Sequence, residues 1–188
     1  MPRWATPWTV AQWRERRDEL IAPLRGDLPD DLLAYAGYLT PVPTRPRPEA
    51  YPLPWAGREV LLHEHDAHAP AHVAAEIVDV GVLLAGDMLS DVELPMPDDD
   101  ETDLVSYLEG LDRLAPVVRR CRWLVPGHGT PTDSPIGRLD ADRRYLDDLL
   151  AGRETDDPRR GLPDMAELHE ANVRRARAGL GPASAADI

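Results

Sequence analysis

The chain has 188 residues, 43% of them hydrophobic and 29% charged, enough for one domain with a real core, while 20 prolines and only 5% aromatic residues imply much irregular backbone. A formal net charge of -13 argues against sequence-independent binding to nucleic acid or to an anionic membrane, since both need a cationic footprint. The single Cys121 cannot form an internal disulfide, and no positively charged start followed by an apolar core marks a signal peptide, so a reducing cytoplasm is the expected compartment.

In chain order, Thr6-Pro7-Trp8 opens a helix with Thr6 as N-cap and proline at the first helical position, Thr9 and Gln12 offering a rival capping box. Trp13, Leu20, Ile21 and Leu24 supply its apolar face, and Pro23 sets its end. A second short helix is expected from Pro29 to Tyr38. The proline-rich stretch from Thr40 to Pro54 reads as an extended connector. From Trp55 onward, Glu59 to His63, Val73 to Val78 and Gly81 to Ala85 are short apolar runs separated by turn residues, the form of buried strands. The acidic run Asp98 to Asp103 reads as a solvated loop or a helix start. Leu104, Tyr107, Leu108, Leu111, Leu114 and Val118 fall at helical spacing, which predicts an amphipathic helix covering the sheet. Arg122 to Val125 is the next strand, Leu139 to Leu150 and Pro163 to Ala178 read as helices, and Gly179 to Ile188 as a frayed tail. The expected organisation is a helical, proline-rich segment 1–54, an α/β portion 55–150, and a helical extension and tail 151–188.

Three stretches carry the chemistry: His65-Asp-Ala-His68-Ala-Pro-Ala-His72, Gly86-Asp87, and Pro126-Gly-His128-Gly. Each sets a histidine or aspartate beside turn-forming residues at the end of an apolar run, where a chain presents ligands without burying them. Neutral imidazole is a good donor to borderline metals, and a carboxylate can place one oxygen on each of two cations. Singly, each stretch reads first as an ordinary turn, because glycine and aspartate favour turns. Their order in one apolar framework is what makes them specific.

Over about residues 50 to 150 the pattern resembles the second half of the metallo-β-lactamase superfamily, whose strands end in a Thr-Pro-Gly-His-type turn, in Gly-Asp and in Pro-Gly-His-Gly. The resemblance implies a partial αββα sandwich, an α/β fold with a mixed sheet and flanking helices. It also implies metal ligation by His68, Asp87 and His128, with Asp87 bridging. Zinc is the implied metal, with iron or manganese as alternatives, and the implied chemistry is hydrolysis of a small-molecule substrate by a metal-activated water. The first motif departs from the family: His65-Asp-Ala-His68 stands where Thr-Pro-Gly-His is usual.

The superfamily's His-x-His-x-Asp-His, which supplies four further ligands, is missing, because no histidine precedes His63. His63-Glu-His65-Asp66-Ala-His68 holds the same residue types with the fourth and fifth positions exchanged, and strand alternation puts His63 and His65 on one face. His72 is read as a support of the turn, His169 as an ordinary surface histidine, and Arg119, Arg120 and Arg122 as local ion-pair partners. Three readings follow: a metal-dependent hydrolase completed by local ligands or a partner chain, a noncatalytic relative used for binding or assembly, and the downstream portion of a longer hydrolase. In each, a sheet lacking its opposite half leaves an apolar face in want of cover, so a homo-oligomer or a complementary chain is expected.

Overall fold

The computed structural model describes residues 2–44, 50–97 and 103–179. Trp4–Ala5 (β1) leads into α1 (Pro7–Ile21), which starts at the expected cap: Thr6 has extended backbone and its hydroxyl accepts from the Thr9 N–H at 3.4 Å. Thr9 lies inside the helix instead of capping it. The helix expected from Pro29 to Tyr38 is shorter, a single turn at Asp30–Leu33 (α2). Beyond Leu33 the backbone bonds tighten to i+3 turns, Tyr35 N–H to Leu32 O at 3.0 Å and Ala36 N–H to Leu33 O at 3.1 Å, and the chain then reaches Gly37 at φ 77°, a left-handed conformation that ends a helix; Arg17 adds bonds to the Leu33 and Ala36 carbonyls at 3.2 and 3.0 Å. The proline-rich stretch contributes Thr40–Pro41 (β2), parallel to β1, and Tyr51–Pro52 (β3), an edge strand, which is where proline is tolerated.

The main sheet continues with β4 (Val60–His65), β5 (His72–Ile77), β6 (Val82–Gly86) and β7 (Trp123–Pro126), each shifted by one or two residues from its expected span. The order is β3-β4-β5-β6-β7, antiparallel as far as β6 and parallel between β6 and β7. A parallel pair needs a crossover, and α3 (Leu104–Arg120) supplies it. Asp103 caps that helix, its carboxylate accepting from the Ser106 N–H at 2.6 Å. The rest of the acidic run lies outside the described residues. After β7 come α4 (Pro135–Leu150) and α5 (Met165–Gly179); the tail expected from Gly179 therefore begins at least one residue later, and its remainder is outside the described residues.

Register decides what the sheet buries. Ala74, Leu83 and Leu124 share one face and join Leu111, Leu114 and Val118 of α3 and Leu139, Leu146 and Leu149 of α4 in a single core, to which α5 adds Ala176. Leu62, Ala75, Leu84 and Val125 stand side by side on the opposite face and are only partly covered; Leu84 is 40% exposed and Trp123 39%. The architecture is thus a mixed sheet with helices packed on one side. Val10, Ile21 and Val42 are buried in the N-terminal portion and are not part of the main core.

Adjacent leucines on opposite faces give a direct check. Leu83→Ala is expected to cost roughly 2–5 kcal/mol of unfolding free energy, as for a fully buried leucine, and Leu84→Ala less than about 1 kcal/mol. Chemical denaturation at low protein concentration measures both; equal losses would mean that the second face is covered in solution.

Candidate metal centre

Three strand ends meet at one edge of the sheet. The β4–β5 turn carries His68, β6 runs out at Gly86-Asp87, and β7 at Pro126-Gly-His128, the last two being parallel neighbours tied by Gly127 N–H to Gly86 O at 2.7 Å. Glycine is required at both junctions. Gly86 has φ 62°, and a Cβ there would lie 2.4 Å from the His72 ring; a Cβ on Gly127 would lie 2.4 Å from Asp87 Oδ1.

The structure brings His68, Asp87 and His128 together. His68 Nε2 stands 3.8 Å from Asp87 Oδ2, and His128 Nε2 stands 3.3 Å from Asp87 Oδ1, so each imidazole faces a different oxygen of one carboxylate. His68 is buried and His128 exposed. His68 Nδ1 lies 2.6 Å from the Met96 carbonyl oxygen, which can only accept. In the neutral ring that bond places the one proton on Nδ1 and leaves a lone pair on Nε2, opposite a carboxylate. Glu93, which sequence reasoning missed, puts Oε1 3.7 Å from His128 Nδ1.

The remaining histidines are spent elsewhere. His63 and His65 do share a face of β4, as alternation implies. His63 Nε2, however, meets Glu76 Oε2 at 2.9 Å, and Glu76 is held again by Arg120 in a two-pronged pair at 2.6 and 2.8 Å. His65 is fully buried and contacts His72 Nδ1 through Nε2 at 3.3 Å; His72 Nε2 accepts from the Asp87 N–H at 3.3 Å. His72 thus supports the turn and the backbone of Asp87.

Residues 88–97 bind these parts into one unit, and the C-terminal segment grips them. Ser90 Oγ donates to His128 O at 3.0 Å. Asp91 is held far below the usual carboxylate range by the Arg138 guanidinium, and accepts from Thr130 N. Buried Arg159 donates from Nη1 to Ser90 O (3.0 Å), Glu93 O (2.9 Å) and Asp142 Oδ1 (2.6 Å), and pairs with Asp157. Leu94 N donates to Met165 Sδ, and Asn172 Nδ2 to Pro95 O at 2.7 Å. Burial pushes the Asp142 carboxyl up to about 6 even against the pull of Arg159.

The fit to metal can be tested from donor spacing. With bonds of ~2.1 Å, donors 3.3 Å apart subtend about 104° at a shared cation, near tetrahedral, and donors 3.8 Å apart about 130°. His128 with Asp87 therefore has the spacing of a ligand pair, and His68 with Asp87 is wider. Two donors are not a coordination shell. Among the described residues no group of three or more His, Cys, Asp or Glu side chains is placed to hold one metal ion, so these residues do not fit a complete centre by themselves.

No family model matches the chain, and no curated protein matches it. Among solved structures it is similar to a metallo-beta-lactamase family protein from Thermus thermophilus, at 26% identity over 78% of this chain and 48% of that one, with a TM-score of 0.48. It is also similar to a metallo-beta-lactamase from Pontibacter korlensis (19% identity, 62% of this chain and 54% of that one, TM-score 0.46). A beta-lactamase domain protein from Burkholderia ambifaria is a third (22% identity, 80% and 46%, TM-score 0.47). The chain spans about half the length of these structures. No helix among the described residues is long and apolar enough to cross a membrane.

The buried histidine behind the site sets an expectation for pH. Burial first, then repulsion from His72, Arg113, His68 and His63, the histidines acting only when protonated, lower the pKa of His65 to about 3, against 6.5 for the free side chain. Between those values the unfolded chain takes a proton that the folded chain refuses. The contribution is therefore complete above about pH 6.5 and is lost as pH falls toward 3. Denaturant titrations at pH 7 and pH 5 should show a smaller loss of stability in His65→Asn than in the wild type; an equal loss in both would remove His65 as its source.

Proposed function

We propose that this chain contributes half of a metal-dependent hydrolase centre. In this reading His68, Asp87 and His128 are the residues that would hold the metal, which would supply an activated water. Zinc is the first candidate, with iron or manganese as alternatives, and the substrate is a small molecule. The further ligands come from outside the three strand-end motifs, on a second copy or a complementary chain that covers the open face of the sheet, where Leu84 and Trp123 are exposed.

One observation supports this most. When the ring is neutral, the bond from His68 Nδ1 to Met96 O leaves the Nε2 lone pair facing the Asp87 carboxylate, two acceptors that a shared cation would satisfy. The short donor set gives weight to a second reading, a noncatalytic relative that uses the fold for binding or assembly. Hydrolysis of simple esters and thioesters by the metal-loaded protein bears on the two: turnover above that of free metal, lost in His68→Ala, contradicts the second.

Elemental analysis after dialysis, followed by zinc titration, should find fewer than two metals per chain, held weakly because most of a coordination shell is lacking. His68→Ala and His128→Ala are each expected to weaken zinc at least tenfold. Two tightly held metals per chain would show that His63, His65 and Asp66, or a partner copy, restore the site, and unchanged affinity in both variants would remove the site.

A further inference from the structure

Far along the chain from the strand-end motifs, the C-terminal end of α4, the 152–160 segment and α5 enclose a cleft of about 320 Å³. Its lining runs against the sign of the molecule. The chain carries a formal net charge of -13, yet this cleft presents Arg153, Arg160 and Arg177 with a single acid, Glu154. Arg153 is committed to Asp148 through Nε and Nη2 at 2.9 and 2.8 Å. Arg160 uses only Nη1, on the Thr155 carbonyl. Arg177 has no hydrogen-bonded or ion-paired partner among the described residues. Two guanidiniums therefore keep donors in reserve.

His169 lines the same cleft, and a buried relay fixes its proton. Asn172 Nδ2 donates to Tyr145 Oη at 3.2 Å, and Tyr145 Oη lies 3.1 Å from His169 Nδ1. Tyr145 is buried, so its hydroxyl proton needs an acceptor, and His169 Nδ1 is the acceptor at hand. The ring's own proton then sits on Nε2, as a donor. Burial and the Arg160 cation hold the His169 pKa below the ordinary value, against the pull of Glu170 and Asp157. Leu149 and Val173 supply an apolar wall.

We propose that this cleft is a binding site for a phosphate-type oxyanion, carried by a small phosphomonoester, with the free donors of Arg160 and Arg177 and the Nε2–H of His169 on its oxygens and the organic body against Leu149 and Val173. Guanidinium forks match phosphate oxygens in geometry, and a neutral imidazole N–H adds a donor without further charge. The site is separate from the candidate metal centre, and its occupancy does not depend on the hydrolase reading.

Calorimetric titration of the full chain with inorganic phosphate and with phenyl phosphate, at pH 7.5 and constant ionic strength, tests it. Saturable 1:1 binding is expected, with R160Q and R177Q each at least tenfold weaker and R174Q, on α5 but outside the cleft, unchanged. Tighter binding of phenyl phosphate identifies an organic phosphomonoester. Tighter binding of inorganic phosphate overturns the organic part and assigns the cleft to the free ion. No saturable binding of either, or equal loss in R174Q, overturns the site. Should R160Q lose its fold with its bond to Thr155, the exposed R177Q carries the test alone, and full affinity in it is contradictory.

Discussion

A neutral imidazole has one proton, and His68 gives it to the Met96 carbonyl at 2.6 Å. The candidate site depends on that constraint. It fixes which nitrogen faces Asp87, and it ties the β4–β5 turn to a segment 28 residues further on. Asp87 in turn can meet two imidazoles only because β6 and β7 are parallel and end together, with glycines at 86 and 127 where a Cβ would strike His72 or the carboxylate. One carboxylate thus has a ring nitrogen facing each of its oxygens.

Residues 88–97 lack regular structure, so their position must come from tertiary contacts. Arg159 carries much of this, reaching two of their carbonyls while its charge is answered by Asp142 and Asp157. Burying a guanidinium is costly unless each donor is met, and removing one partner leaves an uncompensated charge. Asp142 shows the strain of that burial, its carboxyl pushed up to about 6. The C-terminal extension is thus part of the scaffold: Arg159, Met165 and Asn172 add fixed points to a segment also held by Ser90, Asp91 and the buried Met88, Leu89 and Leu94.

Apolar runs made the strands legible, and helical spacing from Leu104 to Val118 made α3 legible, because both patterns are local. Strand ends slipped by a residue or two because partner register sets them: His65 belongs to β4 through its pairing with His72. The helix expected at 29–38 is one α-turn followed by i+3 turns that end at Gly37, whose φ of 77° does not continue a helix. That His68, Asp87 and His128 share one edge of the sheet followed from the order of three strand-end motifs. Glu93, Met96 and Arg159 were not legible, since a backbone carbonyl leaves no mark in sequence and Arg159 acts across 66 and 69 residues. His63 looked like a spare ligand, but a buried Glu76 on the neighbouring strand claims it, a pairing visible only once the register is known.

Nitrogen-detected NMR of the histidine rings, with and without zinc, tests the central claim most directly. The account predicts that metal-free His68 is the Nδ1–H tautomer, and that zinc moves the Nε2 resonances of His68 and His128 while leaving His63 and His169 in place. A His68 protonated on Nε2, or a zinc response centred on His63, would contradict it.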